Sequence, residues 1–248
     1  MKRRAFLGTV GSLGSLGVIG YTSRSPVETL EIRFWLSEQA ATYDGVPDRI
    51  REYLQLAFDL EFWTLEVSFG GTVPVSTEDG ANVTIHGEWP SRVVAGYFGR
   101  GEITPVADVN LLVTDGQMRT APTGYGIPHI ASVGGARHIA ELEPVEFGDR
   151  YDVVPYRTPE RVMQVLVHEA GHALGLNHDH GVTFRKGDAV TASPMLSAYA
   201  WDPEYDGDRS SCGTVYPETD DLGRKLTFSF SACAQRRLEG YQGGFTRK

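Results

Sequence analysis

The sequence predicts an α+β fold, on three observations. Segments in which apolar and polar side chains alternate with the two-residue period of a strand are interleaved with segments of helical period. The run Val109-Asn110-Leu111-Leu112-Val113 is nearly all apolar, which marks a strand covered on both faces. The clearest helical segment opens at Thr158 and runs into a cluster of histidines. The length, 248 residues, suits one domain, or one domain with a small appendage.

Taken in order, residues 1–28 read as a targeting segment with a short linker, and residues 29–248 as the folded domain. Lys2-Arg3-Arg4-Ala5-Phe6-Leu7-Gly8 resembles a twin-arginine export signal, and Gly8 to Tyr21 is mildly apolar and rich in Gly and Ser. No Cys follows that stretch and no small-x-small site stands out near Ile19-Gly20-Tyr21. The expectation is therefore export without lipid attachment, to the extracellular space or cell envelope, with the segment either cut or kept as a weak anchor. Leu30 to Leu36 alternates as a half-buried strand. Pro47 to Leu60 has helical spacing through Ile50, Tyr53, Leu54, Ala57 and Phe58, and Leu65 to Phe69 alternates again. Gly70 to Thr104 reads as an insertion with one or two short strands, from the runs Val83-Thr84-Ile85 and Val93-Val94-Ala95.

The buried strand at Val109 ends at Asp115-Gly116. Ile127 to Val133 and Arg137 to Leu142 flank Gly134-Gly135, a hairpin signal. Thr158 is expected to cap the next helix, with Pro159 and Glu160 in its first turn and Val162, Val165, Leu166 and Ala173 on its core face. Past His178 regular pattern fades until a last helix within Phe230 to Tyr241.

The net charge is −9 and the 23 basic residues are scattered, which argues against nucleic acid as a partner. No apolar run is long enough to span a bilayer, and a monomer is expected. The two cysteines, Cys212 and Cys233, read as a disulfide in an exported chain, the alternative being two reduced, buried thiols.

The chemistry concentrates in His168-Glu169-Ala170-Gly171-His172-Ala173-Leu174-Gly175-Leu176-Asn177-His178, a complete HExxHxxGxxH. Residues four apart share a helix face, so the imidazoles of His168 and His172 can meet at one metal ion. Glu169 lies beside them, placed to act on water at the metal. Gly175 lets the helix stop and the chain turn back, which offers His178 as a third ligand. Three neutral histidines leave one tetrahedral position open, the mark of a catalytic zinc site. An amphipathic core helix with incidental histidines is the plain alternative, but it would leave two buried His and a buried Glu in need of partners.

This long motif resembles that of the metzincin metallopeptidases. Ser193-Pro194-Met195-Leu196-Ser197 resembles their Met-turn, with Met195 beneath the metal. The resemblance implies a twisted mixed sheet of about five strands with an antiparallel edge strand, a long active-site helix, and a C-terminal subdomain with a terminal helix. Within the superfamily the chain looks most like the matrixins. It departs from them in Asp179, which is more typical of adamalysins, and in lacking a cysteine-switch propeptide before Leu30. Tyr199 lies four residues after Met195, where astacins and serralysins place a zinc-binding Tyr two residues after it, so Tyr199 is not assigned as a ligand.

The resemblance further implies a peptide or protein substrate laid along an edge strand within Ile127 to Val133. Ile130, Ala131 and Ser132 would then face the substrate, and Tyr199 and Trp201 would wall a pocket. His180 competes with His178 as third ligand, but the spacing from Gly175 favours His178. His86, His129 and His138 lack the Asp spacing of a structural zinc site. Asp202, Glu204, Asp206 and Asp208 around Gly207 suit calcium by their oxygens, but nothing beyond an acidic loop supports it, and a solvated acidic loop is the favoured reading. Asn82-Val83-Thr84 is a glycosylation sequon. The function expected is an exported zinc-dependent endopeptidase with Glu169 as general base. A zinc aminopeptidase or other amide hydrolase, and a non-catalytic secreted binding module, are the alternatives; retention of Glu169 disfavours the last.

Overall fold

A computed structural model describes residues 26–116, 123–145, 153–196, 212 and 222–244. The basic run at Lys2, Tyr199, Trp201 and the cluster Asp202, Glu204, Asp206 and Asp208 lie outside these residues. The chain begins with β1 (Thr29–Ser37), α1 (Val46–Phe58) and β2 (Thr64–Val73), followed by α2 (Gly80–Ile85), α3 (Glu88–Tyr97) and β3 (Val109–Val113). Next come β4 (Gly124–Ile127), β5 (Ile130–Val133), α4 (Ala136–Ile139), β6 (Val153–Pro155) and α5 (Thr158–Ala173). The last elements are β7 (Thr183–Lys186), β8 (Ala189–Ala192), β9 (Gly223–Thr227) and α6 (Ala232–Glu239).

Five strands form one sheet in the order β2-β1-β3-β5-β4, parallel except for β4, which runs antiparallel to β5 at the edge. One face of this sheet is covered by α1 and α5. Leu30, Ile32, Phe34 and Leu36 of β1 and Val109, Leu111 and Val113 of β3 pack there with Ile50, Leu54, Leu166 and Val167. The other face is covered by α2 and α3, where Trp35, Leu112 and Ile130 meet Val83, Trp89 and Val93. Helices on both faces explain the nearly all-apolar run of β3. β1 lies between β2 and β3, and its alternation holds as far as Phe34, with Glu31 and Arg33 half-buried between buried Leu30, Ile32 and Phe34; Trp35 is buried on the second face.

Three expectations are corrected. The region from Gly70 to Thr104 holds the end of β2 and two helices, not extra strands. Asp79 caps α2 by accepting from the N–H groups of Ala81 and Asn82, and Gly87, with φ +80°, separates α2 from α3. Each helix is too short for its period to show in sequence. Thr84 of the sequon is buried, with its hydroxyl bonded to that of Ser132. The hairpin is β4–β5, closed by Pro128-His129, with His129 at φ +70°; Gly134-Gly135 instead leads into α4. And residues past His178 are not patternless. Strands β7, β8 and β9 join β6, which precedes α5, in a second, mixed sheet of order β6-β9-β8-β7, whose strands of three to five residues are too brief to alternate legibly. Two smaller shifts concern helix starts and ends: Arg157 occupies the cap position of α5 without a side-chain cap, and α6 starts at the Ser231 cap, which accepts from Ala234 N–H.

Asp115 ties the end of β3 to α4. Its buried carboxylate accepts from the main-chain N–H and the guanidinium of Arg137 and from the Tyr43 hydroxyl. Burial alone would raise its pKa, but the hydrogen bonds from Arg137 and Tyr43 outweigh that and hold it below the ordinary value. A depressed carboxyl stabilises the fold above its unfolded pKa of about 4, and that stabilisation is lost as pH falls through the folded value. Asp115→Asn is therefore expected to cost about 1–3 kcal/mol at pH 7, Arg137 being partly exposed. Urea unfolding at pH 7 and near pH 3 checks this: the gap between wild type and variant should narrow in acid. A gap of the same size at both pH values would contradict it.

Cys212 and Cys233 are joined by a disulfide that closes a separation of 21 residues onto the first turn of α6. A closed loop of this size adds about 3 kcal/mol in the chain-entropy picture. Reduction is expected to lower Tm by about 6–12 °C while leaving bound metal largely unchanged. The reason is that the three histidines all precede the bridged loop. Parallel unfolding and elemental analysis, with and without reductant, test the order. Loss of metal as the first effect of reduction would contradict it.

Candidate metal centre

Helix α5 runs Thr158–Ala173 and buries Val162, Leu166, Val167, Ala170 and Ala173 against the five-stranded sheet and its neighbours. Its last turns carry His168 and Glu169, both buried, and His172. The helix ends in a Schellman arrangement. The N–H of Gly175 donates to the His172 carbonyl at 2.9 Å, and that of Leu176 to Gly171 at 3.0 Å. Gly175 itself sits at φ +84°, a conformation that L side chains resist. The turn carries the chain back over the helix end to a 3-10 turn at His178–His180.

His168, His172 and His178 come together, each offering one nitrogen, and these ligand atoms lie within 4.8 Å of one another. The neighbouring main chain fixes how two of the rings present themselves. Nδ1–H of His168 donates to the Pro194 carbonyl at 2.7 Å, and Nδ1–H of His172 to the Leu176 carbonyl at 2.8 Å. A carbonyl only accepts, so the proton of each neutral ring is placed on Nδ1 and the lone pair on Nε2. The two Nε2 atoms then face each other at 3.0 Å. Two lone pairs at that distance repel, and a cation between them removes the conflict. A tetrahedral ion with bonds of about 2 Å to nitrogen holds its ligands a little over 3 Å apart, so the donor set fits a metal. Burial and the neighbouring His172 push the His168 pKa down to about 3, which keeps the ring neutral as a ligand must be.

Met195 is fully buried against α5. A side-chain carbon at Gly171 would stand 2.5 Å from the Met195 sulfur, so the glycine of the motif makes room for the methionine. Gln164 donates to the Ser193 carbonyl and Ser193 Oγ accepts from Val182 N–H, which holds the turn against α5. Glu169 projects from the same helix. Burial pushes its carboxyl up to about 8, opposed by a hydrogen bond from the main-chain N–H of Gly126. A cation held by the three histidines would favour the ionised form.

The structure separates these residues from the other sequence candidates. Among the described residues no second group of histidines or carboxylates has this arrangement. Nδ1 of His180 accepts from the Asn177 N–H and so is turned to its own 3-10 turn. His129 is half-buried, against Tyr241 and the Asp108 carbonyl, and His138 pairs with Glu141. Ile130, Ala131 and Ser132 are corrected as substrate-facing residues. They are buried in β5, which has β3 on one side and β4 on the other, so no backbone edge is open there. The edge strand is β4. Ile127 and Ile130 flank the two-residue turn as a hydrogen-bonded pair, and Gly134 N–H donates to Thr123. Alternation then turns the backbone groups of Gly124 and Gly126 outward, away from β5. Sequence reasoning missed Gly124, Gly126 and the carbonyls of Pro194 and Leu176; only the Gly-Tyr-Gly at 124–126 could have hinted at them.

The chain matches no known family model and no curated protein.

Proposed function

We propose that this protein is an exported zinc-dependent endopeptidase of the metzincin type. The observation that carries this reading is the facing pair of buried Nε2 atoms, 3.0 Å apart, with His178 in reach and a buried carboxyl one residue from His168. His168, His172 and His178 would hold the ion, and a three-histidine set leaves one tetrahedral position for substrate chemistry. Zinc, when bound, supplies a Lewis acid that acidifies water and polarises the scissile carbonyl. Glu169 takes the proton of the attacking water and delivers it to the leaving amine. The hydrogen bonds to Pro194 and Leu176 keep His168 and His172 aimed. An extended peptide adds to the outward backbone of β4, beside Glu169. The disulfide and the basic run at Lys2 support export.

Elemental analysis of the purified chain tests the metal. About one zinc per chain, removed by a strong chelator and restored on dialysis, is expected. A chain that stays free of stoichiometric metal after dialysis against zinc would sink the reading.

A further inference from the structure

The edge strand beside Glu169 has glycine at both positions that face α5. Strand preference does not account for this, because glycine weakens a strand interior. Nor does backbone conformation, since neither Gly124 nor Gly126 has a positive φ. Space accounts for it. A side-chain carbon at Gly124 would stand 2.7 Å from Val165 Cγ1, 2.8 Å from Glu169 Cγ and 2.9 Å from Glu169 Oε1. One at Gly126 would stand 2.6 Å from the main-chain oxygen of Glu169 and 2.7 Å from His172 Cβ. Tyr125, between them, points to the other face and is 42% exposed. In the plane of the sheet the same two glycines turn their backbone outward, away from β5.

We propose that Gly124 and Gly126 are positioning residues for Glu169: their missing side chains let β4 close onto the Glu169 side chain and the turn of α5 that carries it. The proposal rests on Glu169 as the proton carrier. The same strand that receives the peptide thereby sets the distance between peptide and base. A misplacement of about 1 Å at such a group costs on the order of 10²-fold in rate.

Two measurements test it. The first is a thermal-unfolding cycle on Gly124→Ala, alone and in a Glu169→Ala background, with metal and after chelation. Alone, Gly124→Ala should lower Tm by about 3–8 °C. In the Glu169→Ala background the loss should fall to less than half of that, because two of the three close contacts are gone. The second is the kinetics of metal-loaded Gly126→Ala, where kcat should fall by about 10²-fold with KM within about twofold. An equal loss of Tm in both backgrounds would overturn the proposal, and so would an unchanged kcat in Gly126→Ala. If Gly126→Ala does not take up metal, the Gly124 cycle in the chelated chain decides alone. A wild-type chain that cleaves no peptide would overturn the proposed function, while the unfolding cycle still reports whether the glycines fit Glu169.

Discussion

Glu169→Ala is expected to keep the fold and the metal and to lose peptide cleavage by about 10²–10⁴-fold. The carboxyl is not a ligand, and its burial disfavours its charged form. Its removal takes away a desolvated ionisable group that the fold does not need, so Tm should hold or rise, as is common where a site trades stability for activity. The loss should appear in kcat more than in KM, because the proton is moved only as the bond breaks. Turnover of a fluorogenic peptide and elemental analysis of the same sample check both halves. Near-wild-type turnover in a metal-loaded variant would count against Glu169 as the base.

His172→Ala should have the larger effect on the metal. It removes one of two imidazoles whose Nε2 atoms face each other and leaves only His168 and His178. Metal content should fall below about one tenth of the wild-type value under dialysis, and cleavage should go with it. His180→Ala is the matched comparison. The Nδ1 of His180 accepts from the Asn177 N–H and His180 stands outside the three-histidine group, so its loss should leave metal stoichiometry unchanged. Unchanged metal in His172→Ala, or its loss in His180→Ala, would reassign the ligands.

The three-histidine group was legible in sequence because its parts are local. His168 and His172 share a face through the helical repeat, and the return of His178 depends on a turn that Gly175 announces. The cysteine pair was legible for the same reason that small counts are informative: Cys212 and Cys233 had only each other. The edge strand was not legible. Its two site-facing residues are glycines, which carry no apolar alternation, whereas the neighbouring Ile130 to Val133 looks like a strand because it is buried on both faces. Helices α2 and α3 were hidden by length and by the break at Gly87, and their apolar residues read as short strand runs. The second sheet was hidden likewise, since strands such as Val153–Pro155 show no period at all. The carbonyls of Pro194 and Leu176 that orient the histidines belong to the main chain and leave no mark in residue identity.

Cleavage of a peptide library by the purified chain, before and after treatment with a chelator and again after zinc is restored, tests the central claim most directly. Internal cuts within extended peptides, abolished by the chelator and recovered with zinc, are the result predicted by a metal held at His168, His172 and His178 with Glu169 as the base. Cleavage that persists in the chelated, metal-free chain, or no cleavage by a chain carrying one zinc, would contradict it.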